Sequence, residues 1–336
     1  MKLFGKEFSQ QLIETTTNPF VGLFIGILAT SIIQSSSSTT SIVVGMVAGG
    51  ALTINTAIPI IMGANIGTSI TNTIASLPQI NRSNEFRRAF AAATVHDFFN
   101  FLAVIVIFPL QMATNFLGIA ASTLAGAFQN IGGMNFLSPI KLITKPVSKF
   151  LIGELKFNLG DGSLYKWIAL IFAILLLFFA LKYMTSALKI LIVSKAKAWF
   201  DKILFKTAAR AFTVGLLLTI LVQSSSITTS LVVPMAGAGL LTLIQIFPYT
   251  LGSNIGTTIT AILAALITGE VTAVTVAFAH LLFNVSGILI WWPLKKIPIM
   301  FAEKFAEYST KNKLIPVVYV VVLFFIIPIS IIYISS

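Results

Sequence analysis

Apolar residues run almost without pause along this chain, and the polar residues that interrupt them recur in a fixed order. Residues 34–44 read QSSSSTTSIVV and residues 223–233 read QSSSITTSLVV, identical at nine of eleven positions and 189 residues apart. Each block sits inside an apolar run. Amides and hydroxyls buried in hydrocarbon need partners or carry a heavy desolvation cost. A block of this kind kept twice points to a paired site rather than to a solvated Ser/Thr loop. A second pair follows at the same offset: GANIGTSIT at 63–71 and GSNIGTTIT at 252–260, identical at seven of nine positions.

The pattern predicts elements as well as sites. Residues 19–52 are apolar at both ends and polar in the middle. The arms 19–33 and 41–52 would be ~22 Å and ~18 Å long as helix, each short of the ~30 Å hydrocarbon core. A re-entrant helical hairpin with a polar tip fits that length better than one spanning helix with a polar stripe. Residues 53–77 form an apolar run interrupted by glycine, asparagine and hydroxyl residues. A discontinuous helix is expected there, its unwound carbonyls and the oxygens of Asn65, Thr68 and Ser69 open to a small cation; a glycine-rich packing face is the other reading. A polar turn at 81–88 precedes a helix at 89–110 that carries His96, Asp97 and Asn100. The mixed segment 111–164 reads as an interfacial connection, and 165–193 as a span.

After a basic linker at 194–211 the order restarts, with a hairpin at 212–241, a broken helix at 242–267 and a helix at 270–293. A basic linker (294–313) and a last span (314–335) follow. His280 and Asn284 repeat His96 and Asn100, whereas Leu281 stands where the first half has Asp97. An acid inside a membrane segment is a functional candidate by default, but Asp97 is not shared between the halves. The expected fold is therefore an all-α polytopic membrane protein. Its two units, 1–164 and 165–336, form inverted-topology repeats, each with a re-entrant hairpin and a discontinuous transmembrane helix.

Composition changes the picture little. The chain is 57% hydrophobic and 10% charged with a mean hydropathy of +0.96, against about 25% charged residues in soluble domains. The net charge of +12 does not indicate nucleic acid, because the basic residues form short clusters between apolar runs. With both polar blocks as hairpins, one side of the membrane holds seven basic residues (Lys2, Lys6, Lys141, Lys145, Lys149, Lys156 and Lys166) and the other the remaining fifteen. That bias assigns the chain to the cell membrane as a multi-pass protein, with the basic segments 82–88, 195–210 and 295–313 in the cytoplasm. Cysteine is absent, which excludes disulfides and thiolate metal sites. The first residues turn polar without an apolar core or cleavage site, unlike a signal peptide.

Three crossings lie between the two predicted hairpins, so the hairpins enter from opposite faces. Inverted repeats with interrupted helices at mid-membrane are a recurring plan of secondary transporters. Helix N-termini and backbone N–H groups at the two tips favour an anion, while Asn, Thr and carbonyl oxygens suit Na⁺. A channel would need a continuous polar stripe. A serine hydrolase built from Ser with His96 and Asp97 lacks the G-x-S-x-G turn, and neighbours on one helix point in different directions.

The pair of QSSS blocks with GANIGTS, EFRRAFAAATVHDFFNFL at 85–102 and GSNIGTT resembles the type II sodium-dependent phosphate cotransporters over most of 20–110 and 210–293. The resemblance implies inorganic phosphate as substrate and sodium as the coupling ion, with no cofactor and no enzymatic activity. It implies phosphate contacts from Gln34, Ser35, Ser36 and Ser37 and from Gln223, Ser224, Ser225 and Ser226. It further implies sodium contacts from Thr39, Thr40, Thr228 and Thr229 and from the two Asn-Ile-Gly-Thr segments, namely Asn65, Thr68, Ser69, Asn254, Thr257 and Thr258. From the residues themselves, another oxyanion or a small carboxylate stays open as the substrate.

Overall fold

The computed structural model describes residues 18–130 and 205–335, with scattered positions between 146 and 168. The N-terminal segment 1–17, nearly all of the predicted span 165–193, linker residues 194–204 and most of the connection after residue 130 lie outside the described residues. Every described element is helical.

Helix α1 (Pro19–Ile33) starts at an Asn18 cap whose side chain accepts from the Phe20 N–H, with proline at the first helical position. That is where a missing N–H costs nothing. It ends at Gln34 in the left-handed conformation (φ 60°), and α2 (Ser36–Ala48) begins one residue later behind an extended Ser35. The second half repeats this: α7 (Ala208–Val222), Gln223 at φ 54°, extended Ser224 and α8 (Ser225–Gly237). Glutamine is not a residue that seeks positive φ, so two such caps at matching places mark a turn fixed by its surroundings. At 13 to 15 residues, α1, α2, α7 and α8 are shorter than the ~20 residues a spanning helix needs.

The next element differs between the halves. In the first, α3 (Ile54–Gly67) stops, Thr68 and Ser69 form a turn, and α4 (Ile70–Ser76) resumes before a short 3₁₀ turn at Leu77–Gln79. The predicted interruption is there. In the second, α9 runs unbroken from Leu243 to Thr268, so the discontinuity expected over 242–267 is absent. The glycines of both runs are packing residues. A Cβ on Gly26 would overlap the Ile60 carbonyl, and one on Gly63 the Leu23 carbonyl. Gly215 and Gly252 stand in the same relation to Tyr249 and Phe212. Each glycine pair lets α1 lie directly along α3, and α7 along α9, in close backbone contact. This packing is alike in both halves and does not decide which of the two helices breaks.

Helix α5 (Ser83–Thr114) begins inside the predicted polar turn and is longer than the 89–110 expected; α6 (Phe116–Asn130) follows an Asn115 at φ 50°. Helix α10 spans Val271–Trp291, and the amphipathic α11 spans Lys296–Lys311. The last span is α12 (Leu314–Val321) and α13 (Ile327–Ser335) joined by a π turn at Val322–Ile326. Pro328, which cannot donate a backbone hydrogen bond, follows that turn and accounts for the local widening. By length and composition α5, α9, α10 and the 314–335 span can cross a membrane.

The halves interlock. Helix α2 of the first packs on α9 of the second, and α8 of the second packs on α4 and α5 of the first. Ala89 and Ala93 of α5 face Val233 of α8. The interior between the halves is polar: among buried side chains are Thr30, Ser31, Thr40, Asn65, Asn72, Thr73, His96, Asp97, Asn100, Thr219, Thr229, Asn254, His280 and Asn284.

Candidate functional site

The two polar blocks meet. Ser36 Oγ lies 3.3 Å from Ser225 Oγ, both buried, and each is the first residue of its helix. The N-termini of α2 and α8 therefore converge on one point from opposite halves. The first four N–H groups of a helix have no intrahelical partner and carry about half a positive charge. Side-chain caps satisfy part of each set: Ser35 Oγ accepts from Ser38 N, and Ser224 Oγ from Ile227 N. Residues 35–37 and 224–226 are all buried, and at 3.3 Å the two serine hydroxyls leave no room for a tetrahedral oxyanion between them. The tips are closed.

Around this contact the two halves differ in how many groups are already engaged. Gln34 is tethered, its Nε2 donating to Ser31 O at 2.6 Å and its Oε1 accepting from Thr71 at 2.8 Å. Gln223 is exposed and makes no hydrogen bond to any described residue. Thr229 donates toward both Asn72 Oδ1 and Ser225 O, and Ser226 toward the Thr68 carbonyl at 3.4 Å. Their first-half counterparts, Thr40 and Ser37, find no partner among the described residues although both are buried. Thr39 and Thr228 donate to the carbonyls of Ser35 and Ser224. Thr219 shares a 2.7 Å hydrogen bond with Ser253. Its counterpart Thr30 faces Ala64 in place of a serine and has no partner.

Thr68, Ser69, Thr257 and Thr258 all donate back to carbonyls of their own helices, leaving their oxygen lone pairs available. The interruption at Thr68–Ser69 lies beside Asp97. The carboxylate accepts from Tyr319 OH at 2.7 Å through Oδ2 and has Ser69 alongside, while Oδ1 has no partner among the described residues. Asp97 is completely buried, and no lysine or arginine is buried among the described residues. A carboxylate ionised there has no buried cation among the described residues to balance it.

Asn65 and Asn254 are engaged across the halves. His96 Nε2 lies 2.6 Å from Asn254 Oδ1, and His280 Nε2 lies 3.1 Å from Asn65 Nδ2. Asn100 joins them, donating to the Asn65 carbonyl at 2.8 Å and accepting from Asn254 Nδ2 at 2.9 Å. This crossed cluster was not legible in the sequence, where each histidine reads as an isolated helix-face residue. Only the shared His-x-x-x-Asn spacing in both halves signals it. Arg88 plays a separate part, donating to the Ala236 and Gly237 carbonyls at the C-terminus of α8, where a cation suits the helix dipole.

Several helices long and apolar enough to cross a membrane, around a buried and duplicated cluster of hydroxyls and helix N-termini, define a multi-pass membrane protein. The chain belongs to the Na⁺/Pi-cotransporter family, whose model matches residues 1–139 and 176–302. This is a family of transporters, not of enzymes. The chain is 35% identical to sodium-dependent phosphate transport protein 2B of Pongo abelii and of Homo sapiens, over 98% of the chain and 60% of those proteins. It is 34% identical to sodium-dependent phosphate transport protein 2A of Rattus norvegicus, over 97% of the chain and 62% of that protein. The chain thus spans about three fifths of the length of these relatives. No solved structure matches it.

Proposed function

We propose that the protein carries inorganic phosphate across the cell membrane in symport with sodium, by alternating access, with phosphate held between the two hairpin tips. The observation that carries this reading is the meeting of two helix N-termini at Ser36 and Ser225. Phosphate would be bound by the backbone N–H groups and hydroxyls of Ser35, Ser36, Ser37, Ser224, Ser225 and Ser226, with Gln34 and Gln223 at the two caps. Because the tips are closed, entry requires them to part. The short paired arms favour re-entrant hairpins from opposite faces, related by an inverted repeat.

Sodium supplies the positive charge that is missing among the described residues of the site. Phosphate, carrying between one and two negative charges near neutral pH, meets no lysine or arginine at the tips among the described residues, and helix ends offer only about half a charge each. We place sodium at oxygens beside the tips: Thr39, Thr40, Thr68 and Ser69 with Asp97 in the first half, and Thr228, Thr229, Thr257 and Thr258 in the second. Asn65 and Asn254 contribute by shaping the helices that carry these oxygens. Linkage then requires each ligand to tighten the other by one common factor, ~5–150-fold.

Uptake of labelled phosphate into proteoliposomes, with Na⁺ exchanged for K⁺, tests the proposal. Sodium-dependent, saturable uptake that sulfate does not compete for is expected; equal uptake in K⁺ overturns it. Cysteines introduced at Ser83 and Lys311 should be labelled from the cytoplasm, and one at Gly153 from outside.

A further inference from the structure

The crossed polar cluster has a direction. Asn65 Nδ2 donates to the Ile61 carbonyl at 3.1 Å, which fixes its amide orientation, and its Oδ1 sits farther from His280, at 3.5 Å. An amide nitrogen can only donate and an amide oxygen only accept. Hence His280 Nε2 accepts, whereas His96 Nε2 donates to Asn254 Oδ1. Donors therefore run one way, from His96 through Asn254 and Asn100 to Asn65 and His280. Two histidines in equivalent sequence positions hold opposite tautomers.

The same asymmetry is written in the backbone. An unbroken helix would bond Ser69 N to the Asn65 carbonyl. Here Ser69 N bonds Ile66 O instead, at 3.4 Å, and the released Asn65 carbonyl accepts from Asn100 Nδ2. In the second half α9 is continuous through Asn254, so that carbonyl stays in the helical ladder. Asn284, the counterpart of Asn100, accordingly has nothing to hold: its Oδ1 and Nδ2 are both without partners among the described residues, at 1% exposure. Leaving both ends of a buried amide unsatisfied is costly, and in a chain with a duplicated sequence the missing partner is defined by the first half.

We propose that Asn100 and Asn284 are alternating positioning residues, each holding open the helix of its own repeat in one orientation of the carrier. In the orientation described, Asn100 holds the Asn65 carbonyl and keeps α3 parted from α4. In the opposite orientation Asn284 takes the Asn254 carbonyl and accepts from Asn65 Nδ2, α9 opens after Gly256, and the α3–α4 break closes. The cluster is then a two-state element whose polarity reverses with access, the kind of discrete rearrangement that couples buried sites. This rests on the alternating-access reading above.

The test uses the full-length protein in proteoliposomes, comparing wild type with Asn284→Ala and Asn284→Ser. Alanine removes an amide that makes no bond in the orientation described. Equilibrium phosphate binding in Na⁺ should therefore stay within about twofold, and the melting temperature should hold or rise, while maximal uptake falls about 10-fold or more. Serine, which restores one donor and one acceptor, should recover part of that rate. A merely structural residue would not split rate from binding in this way. Unchanged maximal uptake in Asn284→Ala, beside a transporting wild type, overturns the inference. So does a variant that loses both binding and thermal stability, because Asn284 would then already be bonded in this orientation. Failure of wild type itself to take up phosphate with sodium would instead strike the functional reading, and the control without variants separates the two.

Discussion

The two halves of the molecule share a sequence pattern and a turn geometry, yet they hold their polar groups differently. In the second half Thr229, Ser226 and Thr219 are bonded to Asn72, the Thr68 carbonyl and Ser253. In the first, Thr40, Ser37 and Thr30 occupy the same positions and are buried without partners among the described residues. Repetition of residue types therefore fixes where oxygens are, but the partners around them decide which oxygens are free to bind an ion. An oxygen with a spare lone pair at low dielectric is costly until it finds a cation or a donor. Under the proposed function, the unpartnered oxygens of the first half are the ones free to meet sodium, and Asp97, which has no counterpart at Leu281, lies on that side.

The largest expected effect tests what the halves have in common. Ser36→Leu and Ser225→Leu each place a branched side chain where two hydroxyls sit 3.3 Å apart. Overpacking and the loss of a polar group together should lower sodium-driven phosphate uptake by about 100-fold or more in both variants. If either one transports normally, the two tips do not jointly form the substrate site.

Asp97→Asn separates the halves. The variant keeps the shape and an acceptor for Tyr319 but removes the charge that a sodium ion would balance. Apparent sodium affinity should fall about 30-fold, within the range for hydrogen bonds and contacts to charged groups, with phosphate affinity at saturating sodium nearly unchanged. The corresponding Leu281→Ala should leave sodium dependence as it is. Equal sodium titrations of wild type and Asp97→Asn would remove Asp97 from the coupling site.

The glutamines at the caps give a smaller and more diagnostic contrast. Gln223→Ala should weaken phosphate binding about 10-fold with no change in melting temperature, since the side chain is exposed and makes no hydrogen bond to the described residues. Gln34→Ala releases the Ser31 carbonyl and Thr71 and should lower stability by ~1–3 kcal/mol. Matched losses of binding and stability in both would show that the caps act alike.

Much of this was legible in the sequence, and the missing parts share a cause. The helix ends at Gln34 and Gln223, the paired tips and the break after Gly67 follow from local polar blocks within apolar runs. The continuity of α9 does not, because GANIGTSIT and GSNIGTTIT are nearly the same string. What differs is tertiary: whether an asparagine from another helix takes the carbonyl. The crossed bonds of His96 to Asn254 and of His280 to Asn65 likewise link residues far apart in sequence, where periodicity carries no information. The extension of α5 back to Ser83 was obscured by NRSNEFRR, whose polarity looks like a turn although Ser83–Arg88 are helical, with Phe86 buried and most of the others exposed.

The smallest effect is the sharpest test of why the halves differ. Thr30 and Thr219 sit equivalently: Gly67 approaches the Thr30 Cβ and Gly256 the Thr219 Cβ, so the backbone around both is alike. The difference is one atom, since Ser253 offers Thr219 a hydroxyl at 2.7 Å where Ala64 offers Thr30 none. Ala64→Ser should therefore rebuild in the first half the bond already present in the second. The added hydroxyl is small, and it satisfies a buried oxygen that now has no partner. Stability should rise by ~0.5–1.5 kcal/mol, the usual net worth of one hydrogen bond, read as a higher melting temperature without sodium. If Thr30 is one of the oxygens that a sodium ion uses, the same bond competes with it. Apparent sodium affinity should then fall by at least about twofold, by the same bond energy. A rise in stability with no change in sodium affinity would move sodium away from Thr30 toward Thr40 and Asp97. A fall in stability would mean that the two positions are not equivalent, and the duplicated pattern would lose its use as a guide to the first half.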